Sequence, residues 1–124
     1  MNNAEDSKAK AERQLREQVA ALGVKFLLRT QEQTVSLREL LASLSHGDES
    51  VLPRMQELSH KIHGSGAMFG FEELSRFAGE IEQLVYDRRQ GSEATAGADF
   101  VPRLAHSIAE LARATLAAQQ SQKA

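Results

Sequence analysis

The sequence predicts an all-α protein: an antiparallel up-down-up-down four-helix bundle with an additional N-terminal helix. Apolar residues recur at spacings of three and four along most of the 124-residue chain, which is the helical period. No segment alternates apolar and polar residues with the period of two that is typical of a strand. The two prolines and most of the eight glycines fall between the helical stretches, where they mark connections. The length fits one domain.

The composition excludes several classes of protein. Hydrophobic residues make up 41% and charged residues 26%, as in a folded globular domain. Fifteen basic side chains against seventeen acidic ones provide no cationic surface for phosphate backbones, so we expect no nucleic-acid partner. Cysteine is absent, which excludes disulfides and thiol chemistry. No apolar run approaches the roughly 20 residues of a membrane helix, and the first residues lack the apolar core of a signal peptide. We therefore expect a cytoplasmic protein.

The first 44 residues are interpreted as two helices. Residues 1–23 predict a charged N-terminal helix, partly frayed, with a narrow apolar stripe of Leu15, Val19 and Leu22; Gly23 either ends or bends it. The bundle is predicted over 24–118 and a flexible tail over 119–124. The inward positions expected on its first helix are Leu27, Thr30, Thr34, Leu37, Leu41 and Leu44.

Three further helices complete the predicted bundle. Asp48 or Ser50 caps the next helix, which has Pro53 in its first turn. Gly70 ends that helix, and another follows over about 71–89. After a loop at 90–98, Asp99 caps the last helix. The positions expected to be buried are Leu52, Met55, Leu58 or Ser59, Ile62 and Phe69, then Leu74, Phe77, Ala78, Ile81, Leu84 and Val85, then Val101, Leu104, Ile108 and Leu111.

The helix after Pro53 carries a histidine on its exposed side. His60 lies about 200° from the buried stripe, and His63, Gly64 and Ala67 continue the same face. A glycine inside a helix costs about 1 kcal/mol relative to alanine. Gly66 faces the core, where it lets a neighbouring helix come close. Because Gly64 faces solvent, we interpret it as a low surface that lets a broad molecule approach the His60 imidazole.

Such an imidazole is suited to carrying a phosphoryl group. Histidine is largely a free nucleophile at neutral pH, and it is a usable leaving group once phosphorylated. Phosphoryl transfer requires positioning and charge neutralisation more than covalent chemistry from the protein. A carrier histidine therefore needs exposure, a rigid backbone and small neighbours.

At these residues the chain resembles the histidine-containing phosphotransfer (HPt) domain. The shared features are His60-Lys61-Ile62-His63-Gly64-Ser65, Gly70 ten residues after the histidine, Leu74, and the pair Ile81-Glu82, within a resemblance over about 24–115. It implies that His60 accepts the phosphoryl group and that Gly64 gives the partner clearance. The partner is expected to be the receiver domain of a response regulator, a hybrid histidine kinase, or both. We expect a monomer with no kinase activity of its own and no cofactor, because magnesium belongs to the receiver's site.

The remaining site predictions concern the surroundings of His60. His63, Gly64, Lys61 and Ser65 are predicted to support the phosphoacceptor, and Arg54, Glu57, Lys61, Gly64 and Ala67 are predicted to contact the partner. The family usually has lysine where this chain has His63. The cation that neutralises the phosphoryl group is then a protonated His63, a reoriented Lys61 or a residue of the partner. If it is His63, transfer should weaken as the pH rises from about 6 to 8.

Two alternative functions are compatible with parts of this pattern. Glu57-Leu58-Ser59-His60 matches the Glu-x-x-His of di-iron bundles, but the chain has no second copy and His60 points outward, so no metal site is predicted. The other alternative is an HPt-like bundle that is never phosphorylated and serves only protein interaction. The missing lysine favours it, whereas His60, Gly64 and Gly70 count against it. His46 and His106 are interpreted as ordinary surface residues.

Overall fold

Four α-helices make up most of the computed structural model, which describes residues 3–123. They are α1 (Asn3–Ser45), α2 (Leu52–Met68), α3 (Glu72–Arg89) and α4 (Phe100–Lys123), with short 3₁₀ helices at Glu49–Val51 and Glu93–Thr95. This part of the chain contains no strand, which confirms the predicted all-α class. Across the same residues, no helix has both the length and the apolar character of a membrane span.

The first helix differs from the prediction in its length. It runs from Asn3 to Ser45, so the predicted N-terminal helix is the beginning of α1 rather than a separate element. Gly23 neither ends nor interrupts it, and a Cβ at this buried position would lie 3.7 Å from the Phe71 ring. All residues from 3 to 22 are exposed. Met1 and Asn2, where fraying was expected, lie outside the described residues.

The core lies where the helices face one another. α2 packs on α3, α3 on α4, and α1 on both α4 and α2. Leu58 and Ser59 are both buried, and the Ser59 hydroxyl donates to the Met55 carbonyl at 2.8 Å. Phe26, Phe100 and Ala114 are buried without having been predicted. The predicted positions that are fully buried are Leu27, Thr30, Thr34, Leu37, Leu44, Leu52, Met55, Ile62, Leu74, Phe77, Ala78, Ile81, Leu84, Val85, Leu104, Ile108 and Leu111, and those only half-buried are Leu41, Phe69 and Val101.

Capping hydrogen bonds and a left-handed glycine mark where the helices begin and end. The Asp48 carboxylate accepts from the Ser50 backbone N–H at 3.0 Å, so it caps the first 3₁₀ helix rather than α2 itself. Gly70 has φ of +81°, which confirms the predicted left-handed stop. The carbonyl of Asp99 accepts from the Arg103 N–H at 3.0 Å, as an N-cap residue does. α4 continues to Lys123 through the stretch expected to be a flexible tail, and Ala124 lies outside the described residues.

Helices α2 and α3 run antiparallel and approach closely at a glycine. A Cβ on Gly66 would lie 3.2 Å from the Ser75 nitrogen and 3.4 Å from the Phe71 carbonyl oxygen. This confirms that Gly66 faces the core and permits close packing. The Phe71 N–H donates to the Gly66 carbonyl at 2.8 Å, which joins the two helices at their connection. From there, successive turns of α2 lie beside successive turns of α3.

Candidate functional site

His60 projects from the middle of α2 into solvent, as predicted. Its side chain is 73% exposed, and its Nδ1 lies 2.5 Å from Oε2 of Glu82 on α3. The Glu82 side chain is only 23% exposed, so α3 restricts the carboxylate that holds the ring. A carboxylate can only accept, so with Glu82 ionised the Nδ1 atom carries the imidazole proton. In the neutral ring, Nε2 is then the nitrogen with a free lone pair.

A shallow depression of about 410 Å³ opens beside the imidazole. It contains two carboxylates, from Glu57 and Glu82, and one guanidinium. That guanidinium belongs to Arg89 near the end of α3, and its Nη1 donates to the Gln56 side-chain oxygen at 2.6 Å. The lining residues are Pro53, Gln56, Glu57, His60, Glu82 and Arg89.

The exposed charges on α2 are paired among themselves. The Glu57 carboxylate lies 3.1 Å from Arg54 and 3.2 Å from Lys61. The hydrogen bond and charge of Lys61, followed by the charge of Arg54, lower the pKa of Glu57. Lys61 is thus engaged with Glu57 rather than with the His60 ring. All five residues predicted to contact the partner are exposed: Arg54, Glu57, Lys61, Gly64 and Ala67.

His63 is held against α3. Its Nδ1 lies 2.8 Å from the Ser75 carbonyl oxygen, which can only accept, so Nδ1 is the protonated nitrogen. The Ser75 hydroxyl in turn donates to the His63 carbonyl at 2.8 Å. The imidazole covers Gly79, where a Cβ would lie 2.8 Å from its Nδ1 and 2.9 Å from its Cε1. His63 therefore joins α2 to α3 one turn away from His60.

Gly64 and Ser65, the two small residues that follow His63, occupy different environments. A Cβ on Gly64 would meet nothing within 4 Å, so the surface beside His60 is open, as predicted. Ser65 is half-buried and lies about 140° around the helix from His60, so the structure does not bring it to the imidazole.

The two remaining histidines lie outside this site. His46 and His106 are both exposed, at the end of α1 and on α4.

Three residues of this site had no role in the sequence prediction. In the sequence, Glu82 is only one member of the Ile81-Glu82 pair, and its contact with His60 depends on how α2 and α3 align. Gly79 is a half-buried glycine inside a helix, so the argument that identified Gly66 would also have indicated a close contact here. Arg89 carries no sequence signal, because basic residues are common in the last turn of a helix.

Comparison with known proteins gives one match. A family model described as the Hpt domain matches residues 24–114, a span that holds all of α2 and α3 and the bundle part of α1. No curated protein and no solved structure matches the chain. Among residues 3–123, no three His, Asp, Glu or Cys side chains are grouped as the ligands of a metal ion would be.

Proposed function

Because the chain belongs to the Hpt domain family, we propose that it carries a phosphoryl group on His60 within a phosphorelay. An Hpt domain supplies a phosphotransfer histidine to two-component signalling, and such domains are phosphocarriers rather than kinases. The observation that carries the assignment is the His60 ring, which is exposed and held at Nδ1 by the Glu82 carboxylate.

The proposed partner is the receiver domain of a response regulator, whose phosphorylated aspartate exchanges the phosphoryl group with this chain. Nε2 of His60 attacks phosphorus, a N–P bond forms, and the acyl O–P bond breaks, so that the electron pair leaves with the receiver's aspartate. Nδ1 keeps its proton throughout, and the ring becomes positively charged. The Glu82 carboxylate stabilises that charge and fixes the ring orientation. Transfer back to an aspartate retraces the same steps.

The surface around His60 supports docking of such a domain. The space at Gly64 is open, and Ala67 is a small exposed residue on the following turn. A broad surface can therefore approach Nε2 without meeting a long side chain at these two positions. The paired charges of Arg54, Glu57 and Lys61 border the same face and are proposed to contact the receiver.

The experiment that tests this proposal uses phosphoramidate, a donor that phosphorylates imidazoles directly. Wild type should acquire one acid-labile, base-stable phosphoryl group at early times, and His60→Gln should acquire none. His63→Gln is the matched control, since it removes a neighbouring imidazole and should retain the label. Circular dichroism should show the same helix content in all three proteins.

Two outcomes would contradict the proposal. Equal labelling of wild type and His60→Gln would place the phosphoryl group on another residue. Absence of label on wild type, under conditions that phosphorylate free imidazole, would favour the bundle that serves only protein interaction. A second assay then adds a receiver domain with magnesium, and the label should move from His60 to the receiver's aspartate.

A further inference from the structure

The phosphorylated site needs a cation that the predicted residues do not supply. A phosphoryl group brings a charge of about −1.5 to −2, and the depression beside His60 already holds the carboxylates of Glu57 and Glu82. Glu57 is already paired with Arg54 and Lys61, and Glu82 faces Nδ1 of the ring, so these groups leave the phosphoryl oxygens without a cation. A basic side chain that reaches the phosphoryl oxygens would stabilise the transferring group.

Lys61, Arg54 and His63, on the same helix as His60, all have other partners. Lys61 and Arg54 both contact the same Glu57 carboxylate, at 3.2 and 3.1 Å. His63 donates from Nδ1 to the Ser75 carbonyl and covers Gly79, so its ring is fixed to α3. Turning Lys61 or Arg54 toward His60 would break an ion pair with a carboxylate, and turning His63 would break its hydrogen bond to α3.

We propose that Arg89 binds the phosphoryl group carried on His60. This inference rests on the proposed function and adds a phosphate-binding residue to it. Arg89 lines the same depression as His60 and is exposed. Its guanidinium donates to the side-chain oxygen of Gln56, a neutral amide, so this contact leaves its charge uncompensated.

The position of Gln56 brings the guanidinium within reach of the ring. Gln56 precedes His60 by four residues on α2, so the two side chains lie on one face about 6 Å apart along the helix. When His60 is phosphorylated, rotation of the exposed Arg89 side chain exchanges a neutral acceptor for charged phosphoryl oxygens. Guanidinium groups bind such oxygens through two parallel N–H donors. Phosphorylation thus creates a stronger acceptor than the Gln56 amide for a guanidinium that lines the same depression.

The test measures how fast phosphoramidate phosphorylates His60 in the full chain. Nε2 attacks phosphorus, the P–N bond of the zwitterionic donor breaks, and ammonia leaves. Arg89→Gln should slow this reaction about tenfold, the typical effect of losing one hydrogen bond from a charged group. Arg89→Lys should be intermediate, because it keeps the charge but loses the paired donors. Arg113→Gln is the matched control: it removes the same charge from α4, where Arg113 pairs with Glu110 at 3.0 Å, and should leave the rate unchanged.

A second measurement does not depend on a variant. In proton–nitrogen NMR spectra of wild type, the Arg89 Nε–H signal should shift and become protected from exchange when His60 is phosphorylated, and the Arg113 signal should not. A rate for Arg89→Gln within twofold of wild type, or an unchanged Arg89 signal, would overturn this inference while leaving the phosphocarrier assignment intact. If wild type takes no label on His60, the proposed function itself fails.

Discussion

Replacing Gly79 with alanine would place a methyl group where the His63 imidazole now lies. The new Cβ would be 2.8 Å from Nδ1 and 2.9 Å from Cε1 of that ring, closer than nonbonded atoms tolerate. The ring would have to move and would lose its 2.8 Å hydrogen bond to the Ser75 carbonyl. The same substitution removes a glycine from the interior of α3. Its effect on stability is therefore the balance of two opposing changes.

The magnitudes predict that the presence of His63 determines whether Gly79→Ala raises or lowers the free energy of unfolding. Gly→Ala in a helix interior stabilises by about 1 kcal/mol. Loss of the hydrogen bond costs about 0.5–1.5 kcal/mol, and displacement of the packed ring adds to that cost. Gly79→Ala alone should therefore leave the free energy of unfolding unchanged or lower it slightly. In a His63→Ala background no imidazole lies against the new Cβ, and Gly79→Ala should raise the free energy of unfolding by about 1 kcal/mol. The expected coupling between the two positions is about 1–2 kcal/mol.

Urea unfolding of the four proteins in this double-mutant cycle measures the coupling. Gly64→Ala is the matched control, because a Cβ there meets nothing within 4 Å. It should stabilise by about 1 kcal/mol whether or not His63 is present. If Gly79→Ala proved equally stabilising in the presence and absence of His63, the packing of the imidazole over Gly79 would be refuted.

The remaining predictions concern the site and one surface ion pair. Glu82→Gln keeps an acceptor for Nδ1 but removes the negative charge, so the phosphoramidate reaction at His60 should slow about tenfold. Circular dichroism should show unchanged helix content. An undiminished rate would contradict the role of the carboxylate. Gly64→Ala should slow phosphoryl transfer from a receiver domain while leaving the phosphoramidate rate unchanged, and equal slowing of both would argue against partner clearance. The hydrogen bond and charge of Arg88 lower the pKa of Glu49, so the stability contributed by this surface pair is present at neutral pH and is lost as pH falls through the lowered pKa. Glu49→Gln should therefore cost less than about 1 kcal/mol at pH 7 and reduce the loss of stability on acidification, as measured by thermal unfolding; an unchanged acid dependence would show that the pair contributes nothing.

The buried apolar positions of α2 and α3 were predictable because the helical periodicity and the position of Gly70 between the two helices agree. Ile62 and Ile81 fall on apolar stripes with the period of a helix, and both are fully buried. Gly70 stands between the stripes and adopts the left-handed conformation that ends α2. The exposure of His60 followed from its angular distance from Ile62, since both lie on one regular helix.

The length of α1 could not be predicted from local signals. A glycine lowers helix stability by only about 1 kcal/mol, which tertiary packing readily offsets. Gly23 is buried beside the Phe71 ring, a contact between distant parts of the chain. The absence of a side chain there was consistent with a helix end, a bend or close packing, and only the fold selects among them.

The α3 residues that contact His60 and His63 also could not be predicted from the sequence. Which α3 residue faces His60 depends on the axial alignment of α2 and α3, which Gly66 and the turn at Gly70 set together. A shift by one helical turn would bring a different residue to the ring. The contact with Glu82 therefore emerged only from the structure.

The most direct test of the central claim identifies the nitrogen that bears the phosphoryl group. Long-range proton–nitrogen and phosphorus NMR of the phosphorylated chain should show the group on Nε2 of His60, with the Nδ1 proton retained in its hydrogen bond to Glu82. A phosphoryl group on Nδ1 of His60, or on another residue, would contradict the account.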